Sequence, residues 1–286
     1  MSLSVAYLGP PGTYAELAAL HYVNCLAKPE EPDALLCPYP TISQALEAVA
    51  QARVQIAVVP VENSTHGSVG VTLDTLWQLD CLKVQHALVL PIAHALLSQA
   101  ASLADIRTVY SHPQALGQCQ EWIAKSLPNA QLIPTNSTTE ALQFLDRDTG
   151  IGAISSQRAA ELYTVPILAY PINDRSDNCT RFWSLSLAPG EGGNHTSLAF
   201  SLPANAPGAL VKPLQIFAQR GINLSKIESR PTKRSLGDYL FFIDLEANLD
   251  RNSVRSALEE LHDCTETLKL FGSYSVVPGP PSPEHL

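Results

Sequence analysis

The side chains best placed to do chemistry lie in residues 173–187, where a polar segment runs directly into a strand pattern. The strand half alternates, so Thr180 and Phe182 are predicted to face one side, with Cys179 and Arg181 on the other. Reactive groups of α/β proteins usually lie at such junctions of loop and strand. Thr180 and Arg181 can reach one ligand only if the strand begins after Arg181 or is bulged there. Taken alone, the pattern favours a simpler interpretation, an edge strand whose Arg181 holds a structural ion pair.

A second cluster, Glu62-Asn63-Ser64, follows a strand pattern at residues 54–59. A carboxylate and an amide just beyond a buried strand can orient the hydroxyl group of a substrate. Asparagine and serine also favour turns and helix starts, so a structural role explains the cluster equally well.

Helix starts offer a third kind of binding group, because each presents free backbone N–H donors and the positive end of the helix dipole. Several predicted helices begin directly after strands. If these starts converge on one cleft, they can bind a small anion without many basic residues. The starts are Gly9–Thr13, Glu62–Gly67, Ser111–Gln114 and Ser155–Ser156. Ser111 and Gln114 are spaced as a capping box. The Gly9-x-x-Gly12 pattern lacks the third glycine of a dinucleotide site and the lysine of a P-loop.

Composition argues against several classes of function. The net charge of −9 is unfavourable for nucleic acid and for an anionic membrane surface as partners. The most apolar run, residues 82–100, is broken by charged and polar residues and is not a membrane span. The six cysteines have neither CxxC nor metal-ligand spacing, which predicts reduced thiols in a cytoplasmic protein and no metal site.

The elements that must position these groups alternate between strand and helix from residue 3 to about residue 170. Such alternation predicts an α/β fold with a mostly parallel sheet and helices on its faces. Two blocks, residues 1–78 and 79–172, are predicted to form two lobes. The strand after Thr180 could return to the first lobe, which the sequence alone leaves open.

The pattern changes after a linker at residues 189–195 that is rich in glycine. Residues 196–277 follow the order βαββαβ, which predicts an α+β ferredoxin-like domain. The tail at 278–286 contains four prolines in nine residues and is predicted to be disordered.

Several motifs together resemble the prephenate dehydratase family, in that family's order, over residues 3–188. They are Gly9-Pro-Pro-Gly-Thr13, Pro60-Val-Glu-Asn-Ser64 with Gly67, Ser111-His-Pro-Gln-Ala-Leu116 with Gln118-Cys119, and Asn178-Cys-Thr-Arg-Phe182. The second part resembles an ACT regulatory domain through Gly208-Ala-Leu210, Gly221-Ile-Asn-Leu224 and Glu228-Ser-Arg-Pro231. Tyr14-Ala15, Trp183 and Val211 depart from the usual patterns. No chorismate mutase segment is seen before residue 3, so the resemblance is to the monofunctional form.

The resemblance implies a two-lobed catalytic domain of the periplasmic-binding-protein type, with lobe 1 formed by residues 1–78 and 173–188 and lobe 2 by residues 79–172. It implies the decarboxylation and dehydration of prephenate to phenylpyruvate, without a cofactor or a metal ion. The implied catalytic residues are Thr180, Glu62 and Asn63, with Thr180 hydrogen-bonding or protonating the departing hydroxyl. The implied substrate-binding residues are Thr13, Ser64, Ser111, Gln114, Ser155, Asn178, Arg181 and Phe182.

The resemblance to an ACT domain implies feedback control by L-phenylalanine, and tyrosine is a further effector in some members of the family. The implied effector residues are Gly208, Ala209, Leu210, Asn223, Leu224, Glu228, Ser229, Arg230 and Pro231. Effector binding across a seam between chains implies a homodimer or a homotetramer. Two alternatives stay open: arogenate dehydratase, which acts on the transaminated substrate, and a non-catalytic amino-acid sensor. Thr180-Arg181-Phe182 with Glu62-Asn63 favours an enzyme, since a sensor would not need these residues.

Overall fold

The computed structural model describes residues 2–26 and 34–279. Lobe 1 consists of β1 (Ser4–Leu8), α1 (Tyr14–Leu26), β2 (Leu35–Tyr39), α2 (Ile42–Ala50), β3 (Ile56–Asn63), β4 (Gly67–Ser68), α3 (Gly70–Gln78), β5 (Lys83–Pro91) and, from later in the chain, β11 (Cys179–Ser186). In its sheet, β1 pairs in parallel with β2 and β3, whereas β11 runs antiparallel between β3 and β5. Helix α1 packs on one face, and α2 and α3 pack on the other.

Helix α2 illustrates how the sequence encodes this packing. The Thr41 side chain accepts a hydrogen bond from the backbone N–H of Gln44 and so caps the first turn. Ile42, Ala45 and Val49 follow the spacing of one helix face, and all three are buried against the sheet.

Lobe 2 is a smaller α/β unit inserted between β5 and β11. It consists of β6 (His94–Ser98), a 3-10 helix (Leu103–Asp105), β7 (Thr108–Ser111), α4 (Pro113–Gln118), α5 (Gln120–Ser126), β8 (Gln131–Pro134), a second 3-10 helix (Glu140–Arg147), β9 (Ile151–Ser156), α6 (Gln157–Tyr163) and β10 (Ile167–Ala169). The sheet has the order β10-β6-β9-β7-β8, and β7 is parallel to both of its neighbours.

The boundary between the lobes differs from the prediction. A lobe 2 that begins at residue 79 would contain β5, but β5 pairs with β11 along its whole length in the first sheet. The assignment of residues 79–91 to lobe 2 is therefore wrong, and the chain crosses to the second sheet after Pro91. The error arises because periodicity identifies a strand without indicating which sheet it joins.

The C-terminal domain has the predicted βαββαβ order, and the two-lobed α/β fold class with an added α+β domain is confirmed. Its elements are β12 (His195–Ser201), α7 (Val211–Ala218), β13 (Leu224–Pro231), β14 (Tyr239–Leu245), α8 (Asn252–Cys264) and β15 (Thr267–Pro278). Its sheet is antiparallel in the order β13-β14-β12-β15, and α7 and α8 bury one face of it.

Strand β15 joins this domain to lobe 1. Its first part pairs with β12, and its last residues pair in parallel with β5, from Ser275 opposite His86 to Pro278 opposite Val89. One continuous ten-stranded sheet therefore runs through both regions. The predicted disordered tail begins too early, since Pro278 belongs to β15. The rest of that prediction, beyond residue 279, lies outside the described residues.

The second face of the C-terminal sheet is covered by lobe 1. Phe242, Phe271 and Tyr274 pack into the same buried cluster as Trp183 and Leu76. The Trp183 and Tyr274 rings meet edge to face with centroids 6.0 Å apart. None of the described helices is both long and apolar enough to cross a membrane.

Candidate active site

A cavity of about 1090 Å³ lies between the two lobes. Its lobe 1 wall includes Thr13, Asn63, Thr180 and Phe182, where α1 begins, β3 ends and β11 begins. Its lobe 2 wall includes His94, His112, Gln114, Gln118 and Ser137. The antiparallel pairing of β3 with β11 sets Asn63 directly opposite Thr180, so residues 117 positions apart share one side of the cavity.

Thr180 and Asn63 form the centre of this wall. They are 8% and 4% exposed, and the Nδ2 atom of Asn63 donates to Thr180 Oγ1 over 2.9 Å. The orientation of this amide is fixed, because Asn63 Oδ1 accepts from the backbone N–H groups of Thr65 and His66, both over 3.1 Å. Thr180 Oγ1 thus accepts from Asn63, which leaves its own proton available to a group in the cavity.

Ser64 and Asn178 form a hydrogen-bond network that supports Asn63. Asn178 Oδ1 accepts from Asn63 Nδ2 at 2.9 Å and from Ser64 Oγ at 3.3 Å. Ser64 Oγ also accepts from the backbone N–H of Cys179. Ser64 and Asn178 do not line the cavity, so the structure gives them a supporting position rather than the predicted contact with substrate.

Glu62 and Arg181 lie on the opposite face of the sheet. Arg181 pairs with Glu62 (Nη2 to Oε2, 3.3 Å) and with Asp244 of the C-terminal domain (Nη1 to Oδ2, 3.0 Å). Glu62 also lies 3.7 Å from the Lys226 Nζ atom. The register between β3 and β11 shifts between Arg181 and Phe182, where Val61 of β3 is the extra residue, but neither charged side chain lines the cavity. The structure therefore does not bring Glu62 and Arg181 to the cavity wall, where the predicted catalytic role of Glu62 and substrate contact of Arg181 would place them. Arg181 holds the structural ion pair that the simpler interpretation of the strand predicts.

Only some residues of the predicted helix starts line the cavity. Thr13 caps α1 by accepting from the backbone N–H of Glu16 over 3.4 Å, and both Thr13 and Gln114 line the cavity. Ser111 does not cap α4, because His112 Nδ1 accepts from the Gln114 N–H over 3.2 Å. Instead, the buried Ser111 hydroxyl donates to the Ile154 carbonyl over 2.6 Å.

Ser155 is also buried below the cavity surface, and its hydroxyl has no hydrogen-bond partner among the described residues. The structure does not place Ser111 and Ser155 at the cavity wall, where the predicted substrate contact would require them. Both are buried in the sheet of lobe 2 and do not line the cavity.

His94 and Gln118 are among the polar lining residues that the predicted site lacks. His94 is 3% exposed, and its Nε2 atom lies 2.7 Å from Gln118 Oε1. Gln118 belongs to one of the resembling motifs, but its side chain alone indicates no chemistry. The only sequence signal for His94 is a single imidazole within an otherwise apolar strand pattern.

Comparison with protein families shows to which family the chain belongs. The family model for prephenate dehydratase matches residues 5–189, and the model for the ACT domain matches residues 196–263.

The chain belongs to the prephenate dehydratase family.

Relatives of known function agree with this family membership. The chain is 41% identical to the bifunctional chorismate mutase/prephenate dehydratase of Aquifex aeolicus, over 95% of this chain and 73% of that protein. It is 38% identical to the prephenate dehydratase of Lactococcus lactis subsp. cremoris, over 96% of this chain and 98% of that protein. The crystal structure of an Arthrobacter aurescens prephenate dehydratase in complex with L-Phe has a TM-score of 0.84 and 34% identity, covering 96% of this chain and 90% of that chain. As a member of the prephenate dehydratase family, the protein is a carbon–oxygen lyase with an ACT domain.

The residues expected at the effector site of the ACT domain fall into two groups. Glu228 accepts from Ser68 Oγ over 3.1 Å, and Arg230 makes two hydrogen bonds to the Asp74 carboxylate, at 3.0 and 3.1 Å. These two side chains are therefore bound to lobe 1 within one chain. The remaining residues lie on the outer side of β13 or before α7 and β13: Gly208, Ala209, Leu210, Asn223, Leu224, Ser229 and Pro231. Among them, Gly208 has a φ of 81°, a value that favours glycine.

Acidification is expected to destabilise the protein, because burial lowers the pKa of His86, His94 and His112 below the usual value of 6.5. As the pH falls through 6.5, unfolded imidazoles take up protons while the folded ones stay neutral. The free energy of unfolding then falls by up to about 1.4 kcal/mol per pH unit for each histidine. Urea titrations at about pH 7.5 and about pH 5.5 measure this slope. His86→Phe should make it shallower, and an unchanged slope would contradict the explanation.

Proposed function

We propose that the cavity converts prephenate to phenylpyruvate, carbon dioxide and water. The substrate dianion loses its ring carboxylate as carbon dioxide, the electron pair of the broken bond aromatises the ring, and the ring hydroxyl leaves as water with one proton taken up from solvent. Phenylpyruvate keeps the side-chain carboxylate. The arrangement of Thr180 carries the proposal, because the residue lines the cavity and its oxygen accepts from Asn63, which leaves its proton free to donate to a bound group.

Thr180 would act on the departing hydroxyl. A threonine hydroxyl is a weak acid, so its main contribution is a hydrogen bond that strengthens as negative charge develops on the leaving oxygen. Asn63 increases this effect, because a donor bound to Thr180 Oγ1 polarises the O–H bond. Closure of the cavity around the substrate would exclude competing water.

The substrate carboxylates would be held without basic side chains. The described residues that line the cavity include no lysine or arginine. Hydroxyl and amide groups take that place, and those of Thr13, Gln114 and Ser137 face the cavity from both lobes. Phe182 supplies an apolar contact for the ring that becomes aromatic.

We also propose that L-phenylalanine regulates the enzyme through its ACT domain, within L-phenylalanine biosynthesis in the cytoplasm. The related Arthrobacter aurescens enzyme was crystallised in complex with L-Phe. The outward-facing residues of β13 and the segment before α7 would bind the effector where two chains meet, in a homodimer or homotetramer. Glu228 and Arg230, which hold lobe 1, would carry the effect to the catalytic region. A reduced cytoplasm also suits the six free cysteines.

One assay tests these proposals. Purified protein is supplied with prephenate or with arogenate, and phenylpyruvate and phenylalanine are followed, with and without added phenylalanine or tyrosine. We expect phenylpyruvate from prephenate, a preference over arogenate, and a change of rate with phenylalanine. Turnover of arogenate alone would identify an arogenate dehydratase instead. No effect of phenylalanine on rate or melting temperature would remove the regulatory proposal.

A further inference from the structure

His94 is a buried side chain on the cavity wall that has no role in the proposed reaction. It begins β6, and its ring meets the Tyr14 ring edge to face at 5.6 Å. Its Nε2 atom contacts Gln118 Oε1 at 2.7 Å, whereas its Nδ1 atom is buried and has no hydrogen-bond partner among the described residues.

The direction of each hydrogen bond around Gln118 is determined by backbone groups. Asn63 Oδ1 is fixed as an acceptor by two backbone N–H donors, so the amide nitrogen of Gln118, 3.4 Å away, must be the side that faces it. The same nitrogen donates to Thr65 Oγ1 at 3.1 Å. Gln118 Oε1 is thereby directed to His94, and a carbonyl oxygen can only accept. His94 must therefore carry its proton on Nε2.

The bonds then run in one direction across the cleft. His94 donates to Gln118, Gln118 donates to Asn63, and Asn63 donates to Thr180. His94 and Gln118 belong to lobe 2, whereas Asn63 and Thr180 belong to lobe 1. This is a direct polar link between lobe 2 and the catalytic pair, and a reversed Gln118 amide would take its N–H donor away from Asn63.

We propose that His94 is a positioning residue, whose Nε2–H holds Gln118 Oε1 and thereby keeps the Gln118 amide bonded to Asn63, the residue that donates to Thr180. The proposal rests on the proposed dehydratase reaction. It predicts that His94 contributes to turnover without contacting the leaving group. Substrate binding, which depends on other groups of the cavity, should change much less.

Four variants test this role. His94→Phe keeps a ring against Tyr14 but removes the donor, and we expect kcat with prephenate to fall about 10- to 100-fold. His94→Gln places an N–H near the Nε2 position, and should recover most of that loss. The KM should change by less than about threefold in both variants. In a Gln118→Met background, His94→Phe should add almost nothing, because the bond it removes is already absent.

His86→Phe is the matched control, since His86 is also a partly buried imidazole but lies outside the cavity. Its kcat should equal that of the wild type. Equal losses in His94→Phe and His94→Gln, or additive losses with Gln118→Met, would overturn the proposal in favour of a packing role. Nitrogen-15 NMR of the wild-type histidines gives a readout independent of activity and of variant folding. His94 protonated on Nδ1 alone would also overturn it, whereas failure of wild-type turnover would count against the proposed reaction.

Discussion

Replacing Thr180 with valine is expected to lower kcat for prephenate by about 10²- to 10⁴-fold while the protein stays folded. Valine has nearly the shape of threonine but no hydroxyl group, so the departing oxygen loses its hydrogen bond. Asn63 Nδ2 keeps Asn178 Oδ1 and the Cys179 carbonyl as acceptors, at 2.9 and 3.1 Å, so the buried amide is not left without partners. Steady-state kinetics, with circular dichroism and thermal melting, would measure both effects.

Two controls isolate the catalytic effect from the general cost of removing a buried hydroxyl. Thr180→Ser keeps the donor and should retain activity to within about tenfold. Thr72→Val removes a fully buried hydroxyl that donates to the Pro60 carbonyl over 2.6 Å and does not itself line the cavity. It should lower stability by about 1 kcal/mol and leave kcat unchanged. Near-normal turnover by a folded Thr180→Val variant would exclude Thr180 from the reaction.

The largest loss of stability is expected from Arg181→Met, which should lower the free energy of unfolding by about 3 kcal/mol. Asp244 is 3% exposed, and without Arg181 its charge would be buried with only Ser197 in hydrogen-bond contact and Lys226 nearby. Asp244→Asn should cost less, because Arg181 is partly exposed and keeps Glu62 as a partner. Urea denaturation of Arg181→Met and Asp244→Asn would measure the difference between their free energies of unfolding.

The pH dependence of this loss has a definite sign. Burial already raises the pKa of Asp244, against the hydrogen bond from Ser197 and the charge of Arg181. Removal of Arg181 should raise the pKa of the Asp244 carboxyl further in the folded state only. The folded state then binds more protons than the unfolded state above pH 3.8. The loss in free energy of unfolding caused by Arg181→Met should therefore grow as the pH rises through the raised pKa of Asp244.

Arg234→Met is the matched control, since Arg234 and Glu266 form an ion pair whose side chains are 67% and 49% exposed. Such an exposed pair contributes at most about 1 kcal/mol. If Arg181→Met and Arg234→Met lower the free energy of unfolding equally, burial of Asp244 adds no extra cost to the loss of its partner, which would contradict the prediction.

Strand β11 shows which features of the site the sequence predicts and which it does not. Alternation correctly separates Thr180 from Arg181, since a strand places neighbours on opposite faces. It cannot show that Arg181 meets Asp244, because that contact depends on how two domains pack. Ser111 fails for a local reason: its spacing to Gln114 fits a cap, but the neighbouring His112 ring takes that position. The link from His94 to Asn63 is likewise invisible in sequence, since its members come from separate elements of two lobes.

Strand β5 has a consequence for how the protein is made. It lies between β11 and β15, so its two partners end at Ser186 and Pro278, far later in the chain. While the polypeptide leaves the ribosome, one edge of β5 keeps unpaired backbone groups until Ser275–Pro278 of β15 are available. Contacts of such long sequence separation form slowly, and open strand edges promote aggregation. The edge of lobe 1 along β5 can therefore be paired only after the regulatory domain has been synthesised.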